Sequence, residues 1–350
     1  MWIQNNRGKL RMCERYTDID GNVHRVSVPL LRDTPRERKA AYTELMEKVK
    51  MADSGGAEIR FSELVEKYLS RPDIKDSTRH NYRSRYNVIG QIIGNPVVSD
   101  INTGFVKRKM AECDKPPQTQ NLYIRELKNI IHFAREYGYT KEVLEIRPYK
   151  VRSTETIEDK YLTPEELQEI LEKLPPNYYY FCKFLALTGC RIGEASALTV
   201  SDYDGKYIHI NKNVWNGRVG STKTESSERD LFVQEELKEL LDEYLRYRNV
   251  RLITHTFRTD LLFFGNTGEP ISRQSINDVL HRVQSTKRLH SHIFRHTHAS
   301  LLAEQGYSLE AISRRLGHSN SGITKKIYLH VTEKMKEKEE MQLDRIRLID

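Results

Sequence analysis

The run HSHIFRHTHASLLAEQGYSLEAISRRLGHSNSGITKKIY, residues 290–328, decides how the chain is read. Its apolar residues fall three and four apart, which predicts helices near 293–305, 308–316 and 321–330. Gly317 breaks the second helix from the third, so Leu309 to Tyr328 reads as a helix-turn-helix, a DNA-binding pattern. Four histidines, His290, His292, His296 and His298, open the run. His292 and His296 share a helix face, the spacing of a metal pair. No cysteine or acidic ligand lies near them in sequence, so no metal is expected.

Outward from this run the remaining signals accumulate. His292-Ile293-Phe294-Arg295 is an HxxR at a helix start, and Tyr328 stands ten residues after His318. Upstream, Thr188-Gly189-Cys190-Arg191-Ile192-Gly193-Glu194 places Arg191 at the opening of a short helix. Between them, Tyr207, Ile208, Ile210, Val214 and Trp215, then Leu231-Phe232-Val233, predict β-structure. Thr222-Lys223-Thr224 falls in its turn, and Glu228-Arg229-Asp230 enters the return strand. Thr163-Pro164-Glu165-Glu166 is a capping box with proline at the first helical position. Helices are expected near 164–173, 177–188, 191–198, 234–249 and 271–284, with a short strand at Leu261 to Phe264. Neither GxGxxG, a GxxxxGK[ST] phosphate loop nor HExxH is present.

Taken singly, each residue has a structural alternative. Arg191 would cap a helix and pair with Glu194; Lys223 would be a solvated turn lysine; His318 a polar helix end; Tyr328 a half-buried helix tyrosine, one of 19. Taken in order (Arg191, Lys223, His292-x-x-Arg295, Gly317-His318, Tyr328), the set resembles the tyrosine recombinases, the phage-type integrases. The resemblance covers 160–330 by motif and extends loosely over 1–150. It implies a 3′-phosphotyrosine intermediate. Tyr328 would be the nucleophile, and Arg191 and Arg295 would be bidentate phosphate ligands. Lys223 would be the acid for the leaving 5′ oxygen, His292 an acid–base, His318 a donor to a non-bridging oxygen, and Glu194 a supporting group. Such chemistry stores the phosphodiester bond energy in the protein–DNA link, so it requires neither ATP nor a metal, and no cofactor is expected.

The charge map gives a second line of reasoning. The 350-residue chain has a formal charge of +8. Residues 1–55 hold 11 Lys+Arg against 8 Asp+Glu, residues 56–155 hold 18 against 13, and residues 156–350 hold 28 of each. The excess lies wholly in the first 155 residues, and a basic excess favours polyanions. Short strands in the first 30 residues, an Asp20-Gly21-Asn22 turn, a helix from Thr34-Pro35 to about Lys50 and a Ser54-Gly55-Gly56 linker predict a small module at 1–55. Helical spacing from Phe61 to Tyr139 predicts a bundle at 56–155, with an extended linker over 140–160. The expected fold class is mainly α, with a three-stranded sheet at the N-terminus and a β-hairpin sheet in a mostly helical domain at 156–350.

By the resemblance, 1–55 would bind arm-type DNA sites, with Arg11, Arg15 and Arg25 as candidate contacts. Residues 56–155 would bind the core site, with Arg79, Arg83, Lys107, Arg108, Lys109, Arg125 and Lys128 as candidates. Residues 331–350 would be a tail packed on a neighbouring protomer. A homotetramer on double-stranded DNA is expected, with an excisionase and a host DNA-bending protein as possible partners. The four cysteines form no CxxC, and the N-terminus has no signal-like apolar core. A cytoplasmic protein away from membranes is expected. Two other functions share features: a non-catalytic DNA-binding regulator, which explains the helix-turn-helix alone, and a type IB topoisomerase, which shares the tyrosine chemistry.

Overall fold

The computed structural model describes residues 1–6, 9–17, 23–53, 59–151, 155–215, 217–221, 228–254, 257–317 and 322–344. It falls into two units, Met1–Arg152 and Ser153–Asp350. The Asp20-Gly21-Asn22 turn, the Ser54-Gly55-Gly56 linker, Lys223 and His318 lie outside the described residues.

In the first unit, β1 (Trp2–Asn6), β2 (Lys9–Thr17) and β3 (Val23–Leu30) form an antiparallel sheet in that order. Period-two alternation turns Met12, Val26, Val28 and Leu30 to one face. There they bury against Ala41 and Leu45 of α1 (Pro35–Asp53). The Thr34 hydroxyl accepts the Glu37 N–H at 3.3 Å, so the expected helix start holds. A second core gathers α2 (Phe61–Leu69), α3 (Asp76–Ile93), α4 (Thr103–Ala111) and α5 (Pro117–Glu136) around Phe61, Leu64, Tyr86, Ile89, Leu127 and Ile130. The chain beyond α5 is extended, as read, yet it is packed: Leu144 and Ile146 are buried, and Lys128 Nζ donates to the Ile146 carbonyl at 2.7 Å.

In the second unit, α6 (Pro164–Glu172) opens on the expected capping box, with both reciprocal bonds made. It is followed by α7 (Pro176–Thr188) and α8 (Ile192–Ala197), which Arg191 precedes as the N-cap residue. β4 (Tyr207–Ile210) then pairs with β7 (Arg229–Phe232), and β5 (Lys212–Trp215) with β6 (Arg218–Ser221). α9 (Glu235–Thr254), α10 (Arg273–Leu280), α11 (Ile293–Glu304), α12 (Leu309–Leu316) and α13 (Gly322–Leu343) complete it. Phe181, Phe184, Tyr244, Phe263 and Phe294 fill the main core. Ala299, Ala303, Ile312, Leu316, Ile327 and Val331 form a second one beneath α13.

Two expectations are corrected. Leu261 to Phe264 is not a strand: it makes a single bridge, Leu261 to Thr199, and its apolar run reflects burial of Phe263 and Phe264. The last helix, expected near 321–330, runs on as α13 to Leu343, through the first part of the 331–350 segment. No glycine or proline follows Tyr328 to stop the helix, and pairs such as Lys336–Glu340 at 3.6 Å support it. Among the described residues no helix is long and apolar enough to cross a membrane.

Candidate active site

The site assembles on the C-terminal end of α12. The last carbonyls of a helix have no partner within it and carry the negative end of its dipole. Here three consecutive ones each accept from a different arginine. Arg229 Nε donates to the Arg315 carbonyl at 2.8 Å, Arg295 Nη2 to Leu316 at 2.7 Å, and Arg191 Nη2 to Gly317 at 3.3 Å. Gly317 ends α12 in the left-handed region, at φ +66°, and a Cβ there would stand 2.8 Å from Arg229 Nη1. Glycine is required on both counts.

Arg295 is 4% exposed, and its Nη1 also donates to the Gly189 carbonyl at the end of α7. It thereby ties together the segments that lead into Arg191 and into residue 318. Burial, then the Arg191 charge, lowers its pKa to about 9, so it stays protonated at neutral pH. Glu194, 2% exposed, lies between two arginines: Oε1 accepts from Arg191 Nη1 at 2.6 Å and Oε2 from Arg229 Nη2 at 3.0 Å. Burial alone would raise its pKa; Arg229 and then Arg191 outweigh burial and lower it. The Arg191–Glu194 pair of the structural alternative is therefore present, but it belongs to a larger net-positive cluster.

His292 stands exposed as the residue before α11. Desolvation by the surrounding protein, then the charges of Arg273, His290, Arg295 and Arg191, push its pKa below the ordinary value, toward the neutral ring. Tyr328 is on α13 and lines a groove of about 180 Å³ with Ala303, Gly306, Tyr307, Thr332 and Met335, at the far end of α11 from His292. Thus Arg191, Glu194 and Arg295 are brought into one hydrogen-bonded cluster, His292 is set at the near end of α11, and Tyr328 makes no bond to any of them among the described residues.

Among the described residues no group of three or more His, Cys, Asp or Glu side chains is placed to hold a metal ion. His298 is buried, with Nδ1 2.8 Å from the Ala186 carbonyl and Nε2 3.1 Å from Arg315 Nε. An arginine can only donate, so Nε2 accepts and Nδ1 carries the proton. Burial, then the Arg315 charge, lowers the His298 pKa to about 3. The folded value is below the unfolded one, so the unfolded chain takes up the proton first as pH falls through about 6.5. Stability is full above that pH and is lost at about 1.4 kcal/mol per unit below it, from this group alone. Urea unfolding of the whole chain at pH 7 and 5.5 is expected to show this loss, with a shallower slope in His298→Gln. An equal slope in the two proteins would contradict it.

Sequence reasoning named Gly193 within its motif but gave it no role. A Cβ there would lie 2.8 Å from the Val214 carbonyl and 2.2 Å from Asn213 Oδ1, so β5 packs directly on the helix that Arg191 opens. Gly193→Ala is expected to displace the β5–β6 hairpin, costing about 1–3 kcal/mol by urea unfolding. An unchanged urea midpoint would show that the contact is not tight.

The three arginines proposed for the small sheet share a face. Gln4 pairs with Arg11 and Arg15 with Arg25, on the side opposite the Met12–Val26–Val28 core. Arg15 and Arg25 stand over the Trp2 ring at 5.5 and 5.3 Å, and Arg11 Nε donates to Ser27 Oγ at 3.0 Å. In the bundle the candidates divide. Arg79 donates to the carbonyls of Leu69, Arg71 and Ile74, a structural task that holds the α2–α3 turn. Arg83 grips Glu66, Arg85 and Arg125 flank buried Glu126, and Lys109 pairs with Glu112. Lys107 and Arg108 are exposed on α4, and Lys128 is taken up by the Ile146 carbonyl.

Residues 160–335 match the phage integrase family. A prophage ps2 probable integrase of Lactococcus lactis subsp. lactis (strain IL1403) is 31% identical, over 96% of this chain and 97% of its own length. The integrase of Staphylococcus phage L54a is 28% identical, over 81% of this chain and 91% of its own. Among solved structures, the Tn1549 transposon integrase in complex with a circular intermediate DNA superposes with TM-score 0.65 at 20% identity, covering 79% of this chain and 99% of that one. A lambda integrase tetramer bound to a Holliday junction superposes with TM-score 0.63 at 18% identity, covering 92% and 93%.

Proposed function

The chain belongs to the phage integrase family and is a site-specific recombinase of a mobile element, and from that premise we propose that it cleaves and rejoins DNA through a 3′-phosphotyrosine on Tyr328. The observation that carries this reading is the convergence of Arg191 and Arg295 on the end of α12, beside the glycine that precedes His318. In-line displacement at a phosphodiester loads charge onto the phosphoryl oxygens. Two fixed guanidinium forks, set in a cluster that keeps net positive charge, stabilise that charge without reorganising. His292, held toward its neutral form, accepts the phenol proton. Lys223 returns a proton to the leaving 5′ oxygen, His318 donates to a non-bridging oxygen, and Glu194 orients Arg191. Tyr328 lines a groove at the far end of α11 from His292, and the reading requires its hydroxyl to reach the phosphate that Arg191 and Arg295 hold.

Residues 1–55 are proposed as an arm-site module, reading DNA through the face that bears Arg11, Arg15 and Arg25. Residues 56–155 are proposed as a core-site module, contacting DNA through the exposed basic residues of α4, and 156–350 as the catalytic domain. The active form is proposed to be a homotetramer on DNA, assisted by an excisionase and a host bending protein.

The test is a nicked suicide substrate whose site comes from the DNA flanking the gene. The wild-type chain is expected to form a covalent adduct in EDTA and without ATP. A regulator would bind and form none, and a topoisomerase would relax any plasmid regardless of sequence; either result would overturn the reading.

A further inference from the structure

Arg229 opens β7, and its neighbours Glu228 and Asp230 make it look like a solvated charge. Its side chain is instead 8% exposed. It runs inward from a backbone position paired with Ile210, where the β4–β7 ladder fixes it. Two separate segments meet on it. Nη2 lies 3.0 Å from Glu194 Oε2 and 3.8 Å from Cys190 Sγ, in the segment on both sides of Arg191. Nε holds the Arg315 carbonyl at 2.8 Å, and the guanidinium packs on Gly317 so closely that no Cβ fits.

The electrostatics follow from the count of charges. Arg191 and Glu194 alone are a neutral pair, and a neutral pair has little attraction for a phosphate. With Arg229 on the other carboxylate oxygen, the triad holds one net positive charge. Glu194 is then shared, so the field of Arg191 is not cancelled. A buried carboxylate left with one partner would turn more strongly toward Arg191 and draw its fork away from the DNA.

We infer that Arg229 is a positioning residue for the phosphate site, acting through Glu194 on Arg191 and through the end of α12 on the segment that leads to residue 318. This rests on the recombinase reading above. Arg229 touches no reacting atom; it sets the orientation and net charge of groups that do.

The full-length chain is compared with Arg229→Gln, Arg229→Lys, Glu194→Gln and the Arg229→Gln/Glu194→Gln double variant. The readouts are the single-turnover rate of adduct formation on the suicide substrate at saturating protein, the DNA Kd and the urea midpoint. Arg229→Gln is expected to slow adduct formation about 100-fold while Kd moves by less than about threefold. Arg229→Lys, which keeps the charge but loses the fork, is expected to be slowed about 10-fold. The double variant is expected to lose less than the product of the two single losses, because both changes act on Arg191 along one path. A wild-type rate in Arg229→Gln, or losses that multiply in the double variant, would overturn the inference. If Arg229→Gln does not fold, Arg229→Lys decides, and a wild-type rate there overturns it. Absence of adduct from the unmutated chain would instead be the failure of the recombinase reading itself, and that control tells the two apart.

Discussion

Tyr328→Phe is expected to abolish covalent capture of DNA, by a factor on the order of 10⁴ or more, while DNA affinity and the urea midpoint stay near wild type. The substitution removes one oxygen from a side chain whose ring is half-buried against α11 and the second core. The ring and its packing are kept. Among the described residues the phenol oxygen has no hydrogen-bond partner, so deleting it leaves nothing unsatisfied. The effect therefore isolates chemistry from folding. Residual adduct at more than about a hundredth of the wild-type rate would mean that another group attacks the phosphate.

Arg295→Lys has the second largest expected effect, and it acts on both chemistry and fold. The Arg295 fork spans two carbonyls on different segments, Gly189 and Leu316. A lysine is a single point donor and cannot hold both at the same geometry. One buried carbonyl is left unpaired, at a cost of about 1–3 kcal/mol by urea unfolding. In the proposed mechanism Arg295 also serves the phosphate, and a lysine would serve it less well, so adduct formation is expected to fall by about 3–4 kcal/mol in the chemical step, or roughly 10²- to 10³-fold. A loss of rate without loss of stability would show that the carbonyl bonds are incidental. A loss of stability without loss of rate would remove Arg295 from the chemistry.

The parts of the fold legible in the sequence are those fixed locally. The Thr163 capping box, the Thr34-Pro35 helix start and the alternating strands of β2 and β3 each follow from residues within a few positions of one another. Leu261 to Phe264 reads as a strand because burial on all sides mimics a strand's apolar run. The length of α13 is not legible because a Lys/Glu-rich surface helix has no apolar period to follow beyond Val331.

The site divides in the same way. Spacing marks Arg191 and Arg295, which the fold brings together at the end of α12; it marks Tyr328 too, which lies in a separate groove. It does not mark Arg229, whose partners at 190, 194 and 315 are brought to it only by folding, nor Gly193, whose role is to admit β5. Net charge pointed elsewhere: it located the basic excess in residues 1–155, while residues 156–350, formally neutral, gather their arginines in one place.

The most direct test of the account is to find the atom that carries the DNA. The adduct from the suicide substrate is digested with trypsin and nuclease, and the modified peptide is sequenced by mass spectrometry. Cleavage after Lys326 and Lys334 gives a peptide whose one tyrosine is Tyr328. The account predicts the nucleotide, joined through its 3′-phosphate, on that residue. A nucleotide on any of the other tyrosines, on a serine, or joined through a 5′-phosphate would contradict it.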